Sequence, residues 1–283
     1  MITFFQAIVL GLLQGVTELF PVSSLGHSVL LPALFGWHNI VNSQSASESF
    51  YLAFLVGLHV ATALALLIFY RKTWAKIIRS FFRTLKTRKA ETSTERLAWL
   101  LIVATIPAGL MGVIFEHKFR VVFAKPLAAA IFLSLNGCIL LAGERYRKNS
   151  MHKQARRKLG EFEYKEAGVI GLAQIFALLA GISRSGITMV AGLARGLSHE
   201  DAANFSFLLA TPIIGAAGVY KLHDLIGPNG AGIRGQILVG SLVAGVSAYL
   251  SVRWLTRYFQ TRTLTPFAIY SLVVGVLMII RFA

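Results

Sequence analysis

The apolar opening of the chain, "GLLQGVTELFPVSSLGHSVLLPALFG", contains Gln14, Glu18, Ser23, Ser24 and His27. A second apolar stretch, "AGISRSGIT", contains Ser183, Arg184, Ser185 and Thr188. Glu18 lies one helical turn after Gln14, so the two share a face. A carboxylate there can bind a divalent cation, position a water or tune a neighbouring base. His27 lies three residues beyond Ser24, and a hydroxyl beside an imidazole is the minimal activated-nucleophile pair. Arg184 supplies a planar, permanently charged fork suited to phosphate oxygens. An arginine in an apolar segment is costly and as a rule faces a functional cavity; a structural ion pair with Glu18 is the alternative and does not exclude function. Glu18, Ser24, His27 and Arg184 are therefore the expected catalytic residues, with Glu18 also the expected metal carboxylate.

The elements that position these groups follow from composition. Hydrophobic residues make up 55% of 283 positions and charged residues 14%, with a mean hydropathy of +0.66. Long uncharged runs reach bilayer-spanning length, which indicates an integral membrane protein. The first residues lack a basic region and a small-residue cleavage site, so they read as mature structure. The lone Cys138 excludes an internal disulfide and is expected to pack. The net charge of +16 gathers in two expected loops, 71–96 and 144–166, and in a group at Arg253, Arg257 and Arg262. That distribution is the signature of cytoplasmic loops and of contact with anionic lipid, not of nucleic-acid binding. Trp74, Trp99 and Trp254 sit near these clusters, as interfacial anchors do.

Six uncharged runs, at about 49–70, 98–115, 126–143, 205–220, 235–252 and 264–280, predict spanning helices. Two further stretches, 1–36 and 167–196, are interrupted by polar groups and by Pro or Gly. Residues 7–36 and 167–196 align without a gap at an offset of 160, with nine identities in 30 positions, including Gln14/Gln174, Ser23/Ser183 and Gly26/Gly186. The chain thus reads as one membrane domain over 1–283, built from repeats at about 1–143 and 167–283 joined by the basic loop 144–166. For all three basic clusters to share the cytoplasmic side, 167–196 must enter and leave on one face. Non-helical backbone at that depth needs protein or a watery cavity around it. The expected fold is all-α and polytopic, an inverted-topology repeat in which each half is a re-entrant helix hairpin plus three transmembrane helices. Such architectures place their site near the midplane.

Each hairpin tip presents a helix N-terminus toward the interior, where free N–H groups and the positive dipole end favour an anion. Ser23 or Ser24 at the first tip, and Ser183 or Ser185 at the second, are the expected N-caps. Gly26 and Gly186 are expected to let backbone approach a ligand. His59 reads as a hydrogen-bonded packing histidine, and His223 and Asp224 as solvated loop. No Walker loop, dinucleotide fingerprint or Cys/His metal cluster appears.

The segments "QGVTELFPVSSLGH", "AGISRSGITMVAGLARGLS", "NFSFLLATP" and "TPFAIY" resemble the undecaprenyl-diphosphate phosphatase family, the bacitracin-resistance proteins, along essentially the whole chain. The resemblance implies a multi-pass enzyme of the bacterial inner membrane, its site open to the periplasm. It would hydrolyse undecaprenyl diphosphate to undecaprenyl phosphate and recycle the lipid carrier of peptidoglycan synthesis. The family's motifs fall on Gln14 and Glu18, on Ser23, Ser24, Gly26 and His27, and on Ser183, Arg184, Ser185, Gly186 and Thr188. Of these, Gln14, Ser23, Gly26, Ser183, Ser185, Gly186 and Thr188 are the implied substrate-binding residues. A divalent cation, Mg2+ or Ca2+, and a homodimer are also implied. Leu25, Ala180 and Asn204 depart from the family pattern; they bear on rate and lipid preference rather than on reaction class. The expected nucleophile is Ser24 assisted by His27, or else His27 itself. A reading from another class is a transporter that flips a phosphorylated polyprenyl lipid without cleaving it.

Overall fold

The computed structural model describes residues 1–44, 49–123, 125–150, 161–221 and 227–283, with backbone alone at 116–123, 150, 228 and 229. His223, Asp224 and residues 151–160 of the central basic loop lie outside the described residues. Among the described residues the chain is all-helical. The helices are α1 (Phe4–Thr17), α2 (Ser24–Leu34), α3 (His38–Val41), α4 (Phe50–Phe69), α5 (Arg71–Thr87), α6 (Ser93–Phe123), α7 (Pro126–Ser150), α8 (Tyr164–Ile175), α9 (Arg184–Ala194) and α10 (His199–Tyr220), followed by a short turn of helix at Pro228–Ala231. Two more close the chain, α11 (Arg234–Thr261) and α12 (Thr265–Phe282). By length and composition, α4, α6, α7, α10, α11 and α12 can cross a membrane, so this is a multi-pass membrane protein.

The interrupted stretches become pairs of short helices. Thr3 starts α1 with a capping box, its hydroxyl accepting from Gln6 N–H while the Gln6 side chain accepts from Thr3 N–H. Pro21 cannot continue the helix, and α2 begins afresh behind an N-cap at Ser23. Glu163 and Glu166 form the equivalent box on α8, which runs into a single 3-10 turn at Phe176–Leu178 before α9 restarts behind Ser183.

These short helices are held by close packing on long ones. α1 lies along α11, α8 along α6, α7 against α12, and α4 against α10 and α11. Small residues permit the approach, because lipid offers no hydrophobic driving force and contact area must come from proximity. At Gly15 an added Cβ would lie 2.7 Å from the Ala248 amide nitrogen of α11. Two polar ties show which ends lie together. The buried Glu144 of α7 accepts from His199 Nε2 of α10 (2.6 Å) and from the Leu264 amide before α12 (2.7 Å). At the other end, Asn39 donates to the Met1 carbonyl (2.7 Å) and Gln236 of α11 to the Ile2 carbonyl (3.3 Å).

Three expectations change. The basic segment 71–96 is largely helical: Trp74, Ile77, Phe81 and Thr84 recur every three or four residues and turn inward, and Ile77 and Thr84 are buried. The other basic groups ride on helix ends, since α7 continues through residues 144–150 and α11 through Arg253 and Arg257. Cys138 is exposed on α7 rather than packed.

Candidate active site

The two interrupted pairs meet tip to tip. Ser23 sits at φ +70, a region non-glycine residues seldom occupy. Held there, its hydroxyl accepts from Gly26 N–H in its own helix (3.2 Å) and from Gly181 N–H of the opposite tip (3.1 Å). Gly181 has φ +115, and a Cβ on it would fall 2.7 Å from the Leu133 amide nitrogen, so only glycine fits. Ser183 caps α9 through Gly186 N–H (3.1 Å). Asn136, wholly buried in α7, ties the tips from the side. It donates to the Pro21 carbonyl (3.0 Å) and to Ser271 Oγ (3.2 Å), and accepts from Ser183 N–H (2.9 Å).

Glu18, just past the end of α1, is the hub. Its Oε2 accepts from Gln14 Nε2 (3.1 Å) and from the Ser24 hydroxyl, while its Oε1 accepts from Arg184 Nη2 (3.2 Å). His59 Nε2 approaches Oε2 at 3.6 Å, and His59 Nδ1 is bound to the Leu55 carbonyl (2.8 Å). His59 lies at the middle of the spanning helix α4, so the cluster sits at mid-span depth. Arg184 opens α9; its Nη1 donates to the Ser206 carbonyl (3.3 Å), and its buried Nε has no partner among the described residues. Two ionised groups this deep need each other, because an unpaired charge there is strongly disfavoured.

His27 takes a different neighbour from the expected one. Its Nδ1 contacts the Ser23 carbonyl (2.7 Å), which fixes the proton on that nitrogen. Its Nε2 contacts the Tyr270 hydroxyl (2.8 Å), with the two rings stacked at 5.7 Å between centroids. Ser24, in the first turn of α2, turns instead toward Glu18. Chemically, the cluster offers a hydroxyl bonded to a carboxylate, beside a largely buried guanidinium whose Nε has no partner among the described residues. That is a nucleophile, a proton acceptor and an anion partner in contact.

The family model described as "Bacitracin resistance protein BacA" matches residues 7–277. The chain belongs to this family. It is 54% identical to the protein named undecaprenyl-diphosphatase 2 of Frankia alni, an alignment covering 100% of this chain and 98% of the relative. It is 56% identical to the protein named undecaprenyl-diphosphatase of Mycolicibacterium paratuberculosis, over 97% of this chain and 95% of the relative. Likeness to the undecaprenyl-diphosphatase 2 of Burkholderia lata is 46%, over 94% and 92%.

Of the residues singled out in the sequence, Gln14, Glu18, Ser24 and Arg184 come together directly. Ser183, Ser185 and Thr188 are buried and turned inward. Ser183 and Ser185 share a hydrogen bond (3.0 Å), Ser185 donates to the Phe20 carbonyl (3.2 Å), and Thr188 donates to Ser206 Oγ (2.8 Å). Gly26 and Gly186 serve the tip contact. A Cβ on Gly26 would lie 2.9 Å from Gly181 Cα, and one on Gly186 would lie 3.3 Å from Pro21 Cβ. Sequence reasoning missed Asn136, Ser206 and Tyr270 and gave His59 only a packing role. Each is a polar group in a largely apolar span, and that was the available signal. His59 therefore does more than pack: it faces Glu18.

Proposed function

We propose that this membrane protein hydrolyses undecaprenyl diphosphate to undecaprenyl phosphate and inorganic phosphate, recycling the lipid carrier of cell-wall synthesis. Family membership and the names of relatives matched over nearly their whole length support the reaction. They do not favour the transporter reading. The observation that carries the site is the contact of Ser24 and Arg184 with one carboxylate, Glu18, where the tips meet. The unpartnered Arg184 Nε is a donor that a phosphate oxygen satisfies.

Phosphoryl transfer needs mainly positioning and charge neutralisation. Arg184 holds the terminal phosphate, and Gln14 fixes the rotamer of Glu18. Ser24 Oγ attacks the terminal phosphorus and its proton passes to Glu18. As the Oγ–P bond forms, the bond from phosphorus to the bridging oxygen breaks and undecaprenyl phosphate leaves. Water then attacks the phosphoserine, the Oγ–P bond breaks, and Glu18 returns the proton to Ser24 as inorganic phosphate departs. His27 is the competing nucleophile, with Nε2 as its reacting atom. Acid treatment of a trapped phosphoenzyme separates the two, since phosphoserine survives acid and phosphohistidine does not.

Mg2+ or Ca2+ belongs to the same reading. Among the described residues no group of three His, Cys, Asp or Glu side chains converges. Glu18, which already accepts from three donors, supplies a single carboxylate. That donor set suits a hard cation held largely by substrate phosphates and water. When bound, the cation would share the diphosphate charge.

The re-entrant hairpins and the inverted repeat are proposed on the same footing. The joined ends of α7, α10 and α12 support a second hairpin that returns to its own face, and the pairings α1–α11 and α8–α6 support the symmetry. A periplasm-facing site in the inner membrane belongs to the same reading, supported by the basic ends of α4, α7 and α11, which the positive-inside rule assigns to the cytoplasm; a homodimer is implied by the family resemblance alone. The test of function is phosphate release from undecaprenyl diphosphate by purified protein in detergent, with and without a chelator. Chelation lowers the rate, and Arg184→Ala and Ser24→Ala each abolish it. Undiminished turnover in both variants overturns the site.

A further inference from the structure

Away from Glu18, α5 carries a second pattern. Residues 71–90 contain eight Lys or Arg and no acidic residue, which bars the helix from hydrocarbon and places it along the interface. Its side chains divide into three faces. Trp74, Ile77, Phe81 and Thr84 turn inward toward α6. Lys72, Lys76, Arg79 and Lys86 occupy the opposite side by helical spacing. Between them Ile78, Phe82 and Leu85, spaced four and three apart, are 48%, 63% and 50% exposed. Arg83 is tied to Glu95 of α6 (3.3 Å), and Trp99 donates to Thr84 Oγ1 (2.9 Å), so the helix is pinned in this orientation.

At its C-terminal end an open groove of about 610 Å³ lies between α5, α6 and the start of α8. Thr84, Arg88, Lys89, Trp99, Val103 and Tyr164 line it. Arg88 ends α5 in the left-handed conformation (φ +55). Among the described residues neither the Arg88 nor the Lys89 side chain has a carboxylate partner. A groove that joins two uncompensated cations to two aromatic rings, beside an exposed apolar strip, matches one amphiphile.

We propose that this groove and the adjoining strip of α5 bind an anionic phospholipid. Its phosphate lies against Arg88 and Lys89, its glycerol region against Trp99 and Tyr164, and an acyl chain along Leu85, Phe82 and Ile78. The basic face of α5 raises the local concentration of such lipids.

Trp99 is the natural reporter. In full-length Trp37→Phe/Trp74→Phe/Trp254→Phe protein reconstituted in phosphatidylcholine vesicles, dibrominated phosphatidylglycerol should quench Trp99 more than dibrominated phosphatidylcholine at equal mole fraction. Each basic residue near the surface raises anionic-lipid affinity about fivefold, so Arg88→Gln/Lys89→Gln should weaken the preference roughly 25-fold. In the otherwise native chain, native mass spectrometry should show a retained phosphatidylglycerol that the double variant loses. Equal quenching by both lipids, an unchanged double variant, or abolition of the preference by excess inorganic phosphate overturns the proposal; the last would mark a free-anion site instead.

Discussion

Replacing Asn136 tests whether the tips must be locked together for the site to work. Asn136 is wholly buried, and its amide makes three hydrogen bonds, to Pro21, Ser183 and Ser271. Asn136→Leu keeps the volume and removes all three. The Pro21 carbonyl and the Ser183 N–H are then stranded in an interior that offers them no water. Each stranded group costs about 1–3 kcal/mol, so the two backbone groups together cost about 2–6 kcal/mol. The loss falls on the two turns that carry Ser24 and Arg184, and the tips can escape it only by moving to find new partners. A displacement of about 1 Å at a catalytic group costs on the order of a hundredfold in rate. Phosphate release in detergent should therefore show kcat reduced about a hundredfold for Asn136→Leu, with helicity by circular dichroism retained. Asn136→Asp, which keeps an acceptor for Ser183 N–H but loses the donor to Pro21, should fall between the variant and the native chain. A native kcat in Asn136→Leu would refute the idea that this amide sets the tip geometry.

Other perturbations give separate readings. Tyr270→Phe removes the hydroxyl bonded to His27 Nε2; the lost hydrogen bond, about 1 kcal/mol, should lower the unfolding midpoint slightly, and phosphate release should slow as His27 loses its fixed orientation. Glu144→Gln removes the charge shared by His199 and the Leu264 amide; with hydrogen bonds to charged groups contributing about 1.5–3 kcal/mol, the unfolding midpoint should fall while the KM for the lipid stays constant. Gly15→Leu places a side chain where α11 already stands, so folded protein recovered from the membrane should drop sharply.

Much of this was legible in the chain because the membrane enforces simple rules. Spanning length and lack of charge gave the six long helices to within a few residues, except where α6, α7, α10 and α11 continue past the apolar run. Pro21, Gly181 and the serine caps marked both breaks. What stayed hidden was direction. Spacing placed Ser24 and His27 on neighbouring faces of α2, but it could not show that Glu18 would claim the hydroxyl or that Tyr270, 243 residues away in sequence, would claim the imidazole. The helicity of α5 was masked by its charge, which reads as loop until the inward spacing of Trp74, Ile77, Phe81 and Thr84 is counted.

The lone polar residues of the spans explain one another. Glu18 and Arg184 come from tips 166 residues apart, and neither is tolerable at mid-span without the other. Ser23 and Gly181, with Asn136 between Pro21 and Ser183, complete the same junction through backbone groups that lipid cannot satisfy. Each tip thus supplies what makes the other stable at depth, and the place where they satisfy each other is also where a hydroxyl, a carboxylate and a guanidinium touch. Folding and chemistry are coupled at that point: a chain that seats only one tip has no paired Glu18 and no oriented Ser24. Among the described residues Arg184 Nε is a buried donor of this junction left without a protein partner, and a phosphate oxygen can complete it.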